Sequence, residues 1–150
     1  MLMEKILFVC TGNTCRSPMA EVLAYHEFEK IGSPIKFFSR GLSVLFPSRA
    51  TENAILTMKQ YNLDLSQHRS TQIQLKDIET ADLVLTMTTE HKRYLIQIYP
   101  QLEHKIFTLK EYVGHKEFDI IDPFGGNVEV YQQTAKDLHQ QIIKLSKKIK

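Results

Sequence analysis

A cysteine and an arginine, Cys10 and Arg16, are separated by five residues that include a glycine and an asparagine. The apolar run before Cys10 predicts a strand that ends on it, and Pro18 predicts the first turn of a helix behind Arg16. Consecutive N–H groups of such a loop can point inward and bind an anion at the N-terminus of the helix. The planar guanidinium of Arg16 is suited to two phosphate oxygens. We therefore predict that residues 11–15 form a phosphate-binding loop.

The same loop can activate Cys10 as a nucleophile. Backbone N–H groups, a helix N-terminus and a guanidinium stabilise a thiolate, so we expect Cys10 to be ionised at neutral pH, with Ser17 as a further donor. A thiolate beneath a phosphoryl group is placed for in-line attack. Burial as a small hydrophobic residue is the common role of cysteine, and we favour it for Cys15. For Cys10, the spacing C-x5-R is followed by Ser-Pro and preceded by a strand, and this complete pattern favours catalysis.

The other loop residues are assigned to phosphate binding. Gly12 permits a close backbone approach or a positive φ, and Asn13 tolerates the left-handed region. Ser17 is predicted to cap the helix that follows. The predicted phosphate-binding residues are Thr11, Gly12, Asn13, Thr14, Cys15 and Ser17.

Departure of a leaving group needs a proton donor, and Asp122 is the candidate. Pro123 favours an extended backbone at Asp122, and Gly125 and Gly126 predict a mobile loop that can close over the pocket. The common alternative for an Asp-Pro-x-Gly segment is a turn, and spacing alone does not separate the two roles. We predict that the neighbouring Asp119 is an exposed acid.

These residues need a scaffold that brings strand ends together. Four β-favouring runs alternate with helical patterns along the chain. The predicted strands are 5–10, 35–41, 82–88 and 105–112, and the predicted helices run from Pro18 to Ile31 and over 50–61, 89–99 and 131–149. This alternation predicts right-handed crossovers and an α/β fold, in a single three-layer domain over residues 1–150. Ligands in such parallel sheets bind at the carboxyl ends of strands near a topological switch point, where the loop after Cys10 would lie.

Composition restricts the partners. The chain is 43% hydrophobic and carries a net charge of +2, which is too small to argue for nucleic acid. No apolar run approaches the length of a membrane span, and the first residues lack the pattern of a secretion signal. Two cysteines do not make a disulfide scaffold. We expect a cytoplasmic monomer that binds neither nucleic acid nor membrane.

The histidines other than His68 show no spacing typical of metal ligands, and we expect no cofactor. Five of them are predicted to be surface residues: His26, His91, His104, His115 and His139.

The segment "VCTGNTCRSPMAE" (9–21) resembles the signature of the low-molecular-weight protein tyrosine phosphatases. The resemblance continues through "FSRGL" (38–42), "QHRS" (67–70), "ADLVLTMT" (81–88) and "DPFGG" (122–126). It implies a four-stranded parallel sheet flanked by helices, a cysteinyl-phosphate intermediate on Cys10 and no metal. It also implies that Asp122 is the general acid and that Ser39 and His68 support the loop, His68 by a hydrogen bond to Asn13. We expect Leu42 and Phe124 to wall the pocket; Phe46 could also do so, although a lone apolar residue belongs by default to the core or to the rim of a site.

Three features are similar to a bacterial branch that removes phosphate from protein arginine. They are Thr11, where tyrosine-specific members tend to carry a larger aliphatic residue, Phe124 after Asp122-Pro123, and "VYQQT" (130–134). The resemblance therefore predicts a phosphoprotein phosphatase that acts on phosphoarginine. A phosphotyrosine-specific phosphatase of the same family is the alternative.

Other functions fit less well. Thioredoxin-coupled arsenate reductases share the loop but need further cysteines downstream, and none follows Cys15. A sugar-transport phosphocarrier has no need of Arg16, and a non-catalytic phosphate-binding module would not need both Cys10 and Asp122. Because Cys10 and Cys15 share one loop, we also predict that mild peroxide joins them in a reversible disulfide.

Overall fold

The computed structural model describes residues 2–149, so the first and last residues of the predicted 1–150 domain lie outside it. It contains a parallel four-stranded sheet in the order β2-β1-β3-β4. The strands are β1 (Lys5–Cys10), β2 (Lys36–Gly41), β3 (Leu83–Thr86) and β4 (Ile106–Thr108). The helices are α1 (Arg16–Lys30), α2 (Glu52–Gln60), α3 (Leu75–Thr80), α4 (Thr89–Ile98), α5 (Leu109–Tyr112) and α6 (Val128–Lys148), with a 3-10 helix at Pro100–Lys105. The predicted α/β fold, with four parallel strands and flanking helices, is confirmed.

Strand β1 is buried on both faces, which explains its unbroken apolar run. On one face, Ile6 and Phe8 join the larger core, to which α1, α2 and α6 contribute. On the other face, Leu7 and Val9 pack in a smaller core that includes Leu95 of α4. No helix within residues 2–149 is long and apolar enough to span a membrane.

The switch point of the sheet lies between β1 and β3. Cys10, the last residue of β1, pairs with Gly41 at the end of β2, and Val9 pairs with Thr86 at the end of β3. The carboxyl ends of three strands therefore meet at one edge. The loop after β1 and the N-terminus of α4, which follows β3, both start from this edge.

The predicted fourth strand, 105–112, is wrong in its second half. Only Ile106–Thr108 is extended, and Leu109–Tyr112 forms α5. Thr108 Oγ1 accepts a hydrogen bond from Glu111 N, and Glu111 Oε1 accepts one from Thr108 N. This reciprocal cap is a helix-start signal within "TLKE", and it outweighs the β propensity of the segment.

The ends of the other helices and strands lie closer to the predicted positions. Helix α6 begins three residues before the predicted start at Tyr131, because Asn127 caps it by accepting from Val130 N. The short helix α3 was not predicted. Gly32 ends α1 as predicted, with a positive φ of 67°.

Candidate active site

A cavity of about 210 Å³ opens at the carboxyl end of β1. The three predicted catalytic residues, Cys10, Arg16 and Asp122, all line it. The full lining is Cys10, Thr11, Gly12, Thr14, Cys15, Arg16, Asp122 and Phe124. The structure thus brings the segments 10–16 and 122–124 together at one site.

The loop of residues 11–15 is arranged as an anion cradle. Carbonyl groups on and beside the loop accept hydrogen bonds from outside it: Cys10 from Leu42 N, Thr11 from Ser43 N, Asn13 from His68 Nε2, and Thr14 from Thr51 N. No backbone N–H of residues 11–15 donates to a group within residues 2–149. Carbonyls held outward leave the N–H groups free for an anion at the N-terminus of α1.

Asn13 fixes the shape of this loop. Its φ is 57°, as predicted from the tolerance of asparagine for the left-handed region, and it is fully buried. Its Oδ1 accepts from Thr71 N at 2.9 Å, which orients the amide. Its Nδ2 then donates to Ser17 Oγ at 2.8 Å and to Ser39 Oγ at 2.9 Å.

The Asn13 amide also sets the direction of the bond to the nucleophile. Because Ser17 Oγ accepts from Asn13, its own proton is available for Cys10 Sγ, which lies 3.0 Å away. Ser39 donates in the same way to Glu21 Oε1 at 2.7 Å. A polar network therefore connects buried groups to Cys10 through the Ser17 hydroxyl.

Two of the predicted phosphate-binding residues, Asn13 and Ser17, are placed differently from our prediction. Ser17 is the second residue of α1 and not its cap; the cap position is Cys15, whose side chain makes no capping bond. Asn13 and Ser17 are both fully buried and do not line the cavity. Gly12 is not at a positive φ, and an added Cβ would meet only Thr14 Oγ1, at 3.7 Å.

His68 holds the loop from behind. Its Nε2 donates to the Asn13 carbonyl at 2.7 Å, so the ring contacts Asn13 as the resemblance implied, through the backbone. Burial lowers the pKa of His68, with smaller contributions from the charges of Arg69 and Arg40, while the bond to Asn13 acts in the opposite direction.

Arg16 is fixed between the loop and the segment before α6. It is 4% exposed, and its Nη1 donates to the Ile120 carbonyl at 2.9 Å. Its Nη2 lies 3.5 Å from Oδ2 of Asp122, whose side chain is about half exposed. The acid is therefore within reach of any group that Arg16 binds.

His91 is the clearest error of the sequence analysis. It is not a surface residue: it is 6% exposed, and its Nε2 lies 2.9 Å from Thr11 Oγ1. Burial, followed by the charge of Arg16, lowers the pKa of His91 to about 4, although Asp119 and Asp122 act in the opposite direction. No local pattern marks this histidine, because its partner lies 80 residues earlier in the chain.

Cys15 is buried, as we favoured, but it has polar neighbours. Its Sγ lies 3.3 Å from the Tyr131 hydroxyl and 3.7 Å from Thr51 Oγ1. Burial, and then the contact with Cys15, raise the pKa of Tyr131 to about 12. Cys10 and Cys15 are both free thiols, and their joining by peroxide stays a prediction.

The comparisons with known proteins decide the family. The chain matches the family model described as low molecular weight phosphotyrosine protein phosphatase over residues 5–150. This chain belongs to that family. The resemblance noted in the sequence is thereby confirmed, over nearly the whole chain.

Individual relatives of the phosphatase family carry two different substrate names. The chain is 39% identical over 145 residues to a protein-arginine-phosphatase of Bacillus subtilis, covering 97% of this chain and 96% of the relative. A low-molecular-weight protein tyrosine phosphatase from T. tengcongensis has a similar structure, with a TM-score of 0.93, 42% identity, and coverage of 97% and 99%. The YwlE arginine phosphatase, as a cysteine-to-serine mutant with a phosphorylated active-site serine, gives a TM-score of 0.92 at 39% identity, covering 96% and 94%.

The walls of the phosphatase cavity differ in part from our expectation. Phe124 lines the cavity and is 71% exposed. Leu42 does not line it; this side chain packs against the smaller core, on the other face of β1. Phe46, which is 70% exposed, does not line the cavity either.

The segment that carries Asp122 forms a tight turn. Asp122 Oδ1 accepts from Phe124 N, and Gly126 N donates to the Pro123 carbonyl. Gly125 has a φ of 83°, which favours glycine, and a Cβ on Gly126 would lie 2.9 Å from Val130 Cβ. Any larger residue would therefore be strained at either position. Asp122 thus takes part in a turn and lines the cavity at once.

Asp119 is exposed, as predicted, and has its own partners. Its Oδ1 accepts from the backbone N and the Oγ1 of Thr89, at the start of α4. Over residues 2–149 the structure shows no group of three or more His, Cys, Asp or Glu side chains placed to share a metal ion.

Proposed function

We propose that this chain hydrolyses phosphoarginine in proteins through a phosphocysteine on Cys10. The observation that carries the proposal is the Thr11 side chain, which lines the cavity beside the nucleophile and whose hydroxyl is held by His91. The name of the Bacillus subtilis relative supports it. The T. tengcongensis relative, named a tyrosine phosphatase, favours phosphotyrosine as a second candidate, so similarity alone does not choose the substrate.

In the first step, the Cys10 thiolate attacks phosphorus and the bond from phosphorus to the arginine nitrogen breaks. The free N–H groups of the loop and the Arg16 guanidinium stabilise the charge on the equatorial oxygens. The carboxyl group of Asp122 gives its proton to the departing nitrogen. The products of this step are free arginine in the protein substrate and a phosphoryl group on Cys10.

In the second step, water attacks the phosphocysteine. The Asp122 carboxylate takes a proton from this water, and the sulfur–phosphorus bond breaks to release inorganic phosphate. Cys10 leaves as a thiolate, which the Ser17 hydroxyl stabilises at 3.0 Å. Asp122 is then protonated again for the next cycle.

Thr11 distinguishes the two substrates by its polar atom. A phosphoarginine presents a planar group with several N–H donors next to phosphorus, whereas a phosphotyrosine presents an apolar ring. A threonine oxygen can accept from one of these donors, and an aliphatic residue would leave the donor unpaired in the cavity. An unpaired buried donor costs about 1–3 kcal/mol, which corresponds to a preference of roughly ten-fold or more.

The test is the ratio of kcat/KM for phosphoarginine to kcat/KM for phosphotyrosine, measured on peptides of one sequence. We expect wild type to prefer phosphoarginine, and we expect Thr11→Ile and the nearly isosteric Thr11→Val to lower the ratio about ten-fold or more. Thr11→Ser is the matched control, because it keeps the hydroxyl. A wild type that prefers phosphotyrosine, or equal losses on both substrates, would contradict the proposal.

We also propose that the reaction takes place in the cytoplasm. A reducing compartment keeps the thiol of Cys10 available for the first step.

A further inference from the structure

We propose that His91 is a positioning residue that sets the substrate preference by holding the Thr11 hydroxyl at the leaving-group side of the cavity. This inference rests on the proposed function. It assigns a role to a side chain that does not line the cavity and lies on a different element from the nucleophile.

The contacts of His91 single out Thr11. The ring is buried, with its Nε2 2.9 Å from Thr11 Oγ1. Its other nitrogen, Nδ1, is buried and has no partner within residues 2–149. Thr11 is thus the one polar partner that the described part of the chain offers this ring, while Thr11 itself is exposed to the cavity. A buried imidazole with a single hydrogen bond is costly for stability alone, which points to a use at the site.

The residue that His91 contacts faces the same cavity as the proposed proton donor. The His91 imidazole is close enough to the charges of Arg16, Asp119 and Asp122 to be influenced by all three. Asp122 is the proposed proton donor to the departing nitrogen. Thr11, which His91 contacts, lines the same cavity as Asp122, so it borders the space in which the departing nitrogen meets its proton donor.

Threonine needs such a partner because its side chain is branched at Cβ. Rotation about χ1 exchanges the methyl and the hydroxyl among three staggered positions. With the methyl at the leaving-group side, Thr11 would present the same apolar surface as an aliphatic residue. A hydrogen bond from a rigid, buried ring favours the rotamer that keeps the hydroxyl there.

The bond to His91 does not use up the acceptor that the substrate needs. A hydroxyl oxygen has two lone pairs and one proton. If Nε2 donates to Thr11, one lone pair remains, and if Nε2 accepts from Thr11, both remain. Burial and Arg16 also keep the imidazole uncharged at neutral pH, since its pKa is about 4, so it does not repel a basic guanidine.

The test compares two amides at position 91. The amide of His91→Gln reaches the place of Nε2 and can still bind Thr11, whereas the amide of His91→Asn reaches only the place of Nδ1. We expect His91→Asn to lower the ratio of kcat/KM for phosphoarginine to kcat/KM for phosphotyrosine about five-fold relative to wild type. We expect His91→Gln to keep most of the wild-type ratio. A ratio in His91→Asn equal to that of wild type would overturn the inference, because a merely structural role lowers both activities together.

A double-mutant cycle with Thr11→Val shows whether His91 acts through Thr11. In the Thr11→Val background, His91→Asn should not lower the ratio further, because the hydroxyl is already gone. An equal drop in both backgrounds contradicts the inference. If His91→Asn does not fold, nitrogen NMR decides: the Nε2 resonance of His91 should move in Thr11→Val, and an unmoved resonance overturns the inference.

Failure of this inference and failure of the proposed function give different results. A wild type that prefers phosphotyrosine overturns both. A wild type that prefers phosphoarginine, loses this preference in Thr11→Val and keeps it in His91→Asn leaves the proposed function standing and overturns only the role of His91.

Discussion

Two carboxylates, Asp119 and Asp122, lie on the segment between α5 and α6, and their contacts separate their roles. Asp122 lines the cavity and lies 3.5 Å from Arg16, while Asp119 binds the backbone and side chain of Thr89. A general acid must reach the departing atom, so geometry favours Asp122.

We therefore expect Asp122→Ala to lower kcat by roughly 10²–10⁴-fold on phosphoarginine, because the departing nitrogen then receives no proton. The loss should be smaller on p-nitrophenyl phosphate, whose leaving group departs without a proton. Steady-state assays on both substrates check this. Asp119→Ala is the matched control, and the assignment is wrong if that variant is the slower of the two.

At the scale of elements, β2 meets the loop after β1 through a glycine. A Cβ on Gly41 would lie 2.6 Å from Val44 Cγ2, 2.8 Å from the Thr11 carbonyl oxygen and 3.0 Å from Asn13 Cβ. The first two contacts are shorter than real Cβ contacts and the third is unusually tight, so a side chain at the end of β2 would displace the loop.

Gly41→Ala should therefore weaken phosphate binding as well as stability. Gly32→Ala is a useful control, because its positive φ of 67° also strains an alanine, but nothing lies within 4 Å of the added Cβ. We expect urea denaturation to show a loss of stability in both variants. Calorimetric titration with phosphate should show weaker binding in Gly41→Ala alone, and equal phosphate affinities would contradict the account.

Elements defined by local signals were predictable from the sequence. The apolar run of β1, the loop glycine and arginine, and the stop signal Gly32 of α1 are all local, and the predicted β1 and α1 agree with the structure to within a few residues. The short α5 was missed although its capping signal is present, because the β-favouring run into which it falls was read as one strand.

Contacts between distant elements were not predictable in this way. His91 has no local signature, because its role depends on α4 and the loop meeting at the switch point. A tertiary hydrogen bond decided the placement of His91, and residue type alone carries no information about such a bond.

For the whole molecule, the buried His91 links stability to pH. Its pKa is about 6.5 in an unfolded chain and about 4 in the fold. Between these values the unfolded chain binds more protons than the folded one, so the free energy of unfolding falls as pH is lowered from about 6.5 to about 4. Below about pH 4, protonation of His91 lowers the free energy of unfolding no further.

We expect His91→Gln to lose less unfolding free energy than wild type between pH 7 and pH 5. The pKa of His68 is also lowered, and its contribution remains in both proteins, so the difference isolates His91. Urea denaturation at the two pH values measures it. Equal losses in the two proteins would show that His91 takes up protons in the fold as it does in the unfolded chain.

The central claim is that the whole chain transfers phosphate from arginine to Cys10 before water releases it. The most direct measurement mixes the wild-type protein with an excess of a phosphoarginine peptide, denatures it within one turnover, and locates the phosphoryl group by mass spectrometry under conditions that preserve a thiophosphate. We predict a phosphoryl group on Cys10, formed together with free arginine peptide, and no turnover in Cys10→Ser, which should still bind phosphate. A phosphoryl group on any other residue, or turnover in Cys10→Ser, would contradict the account.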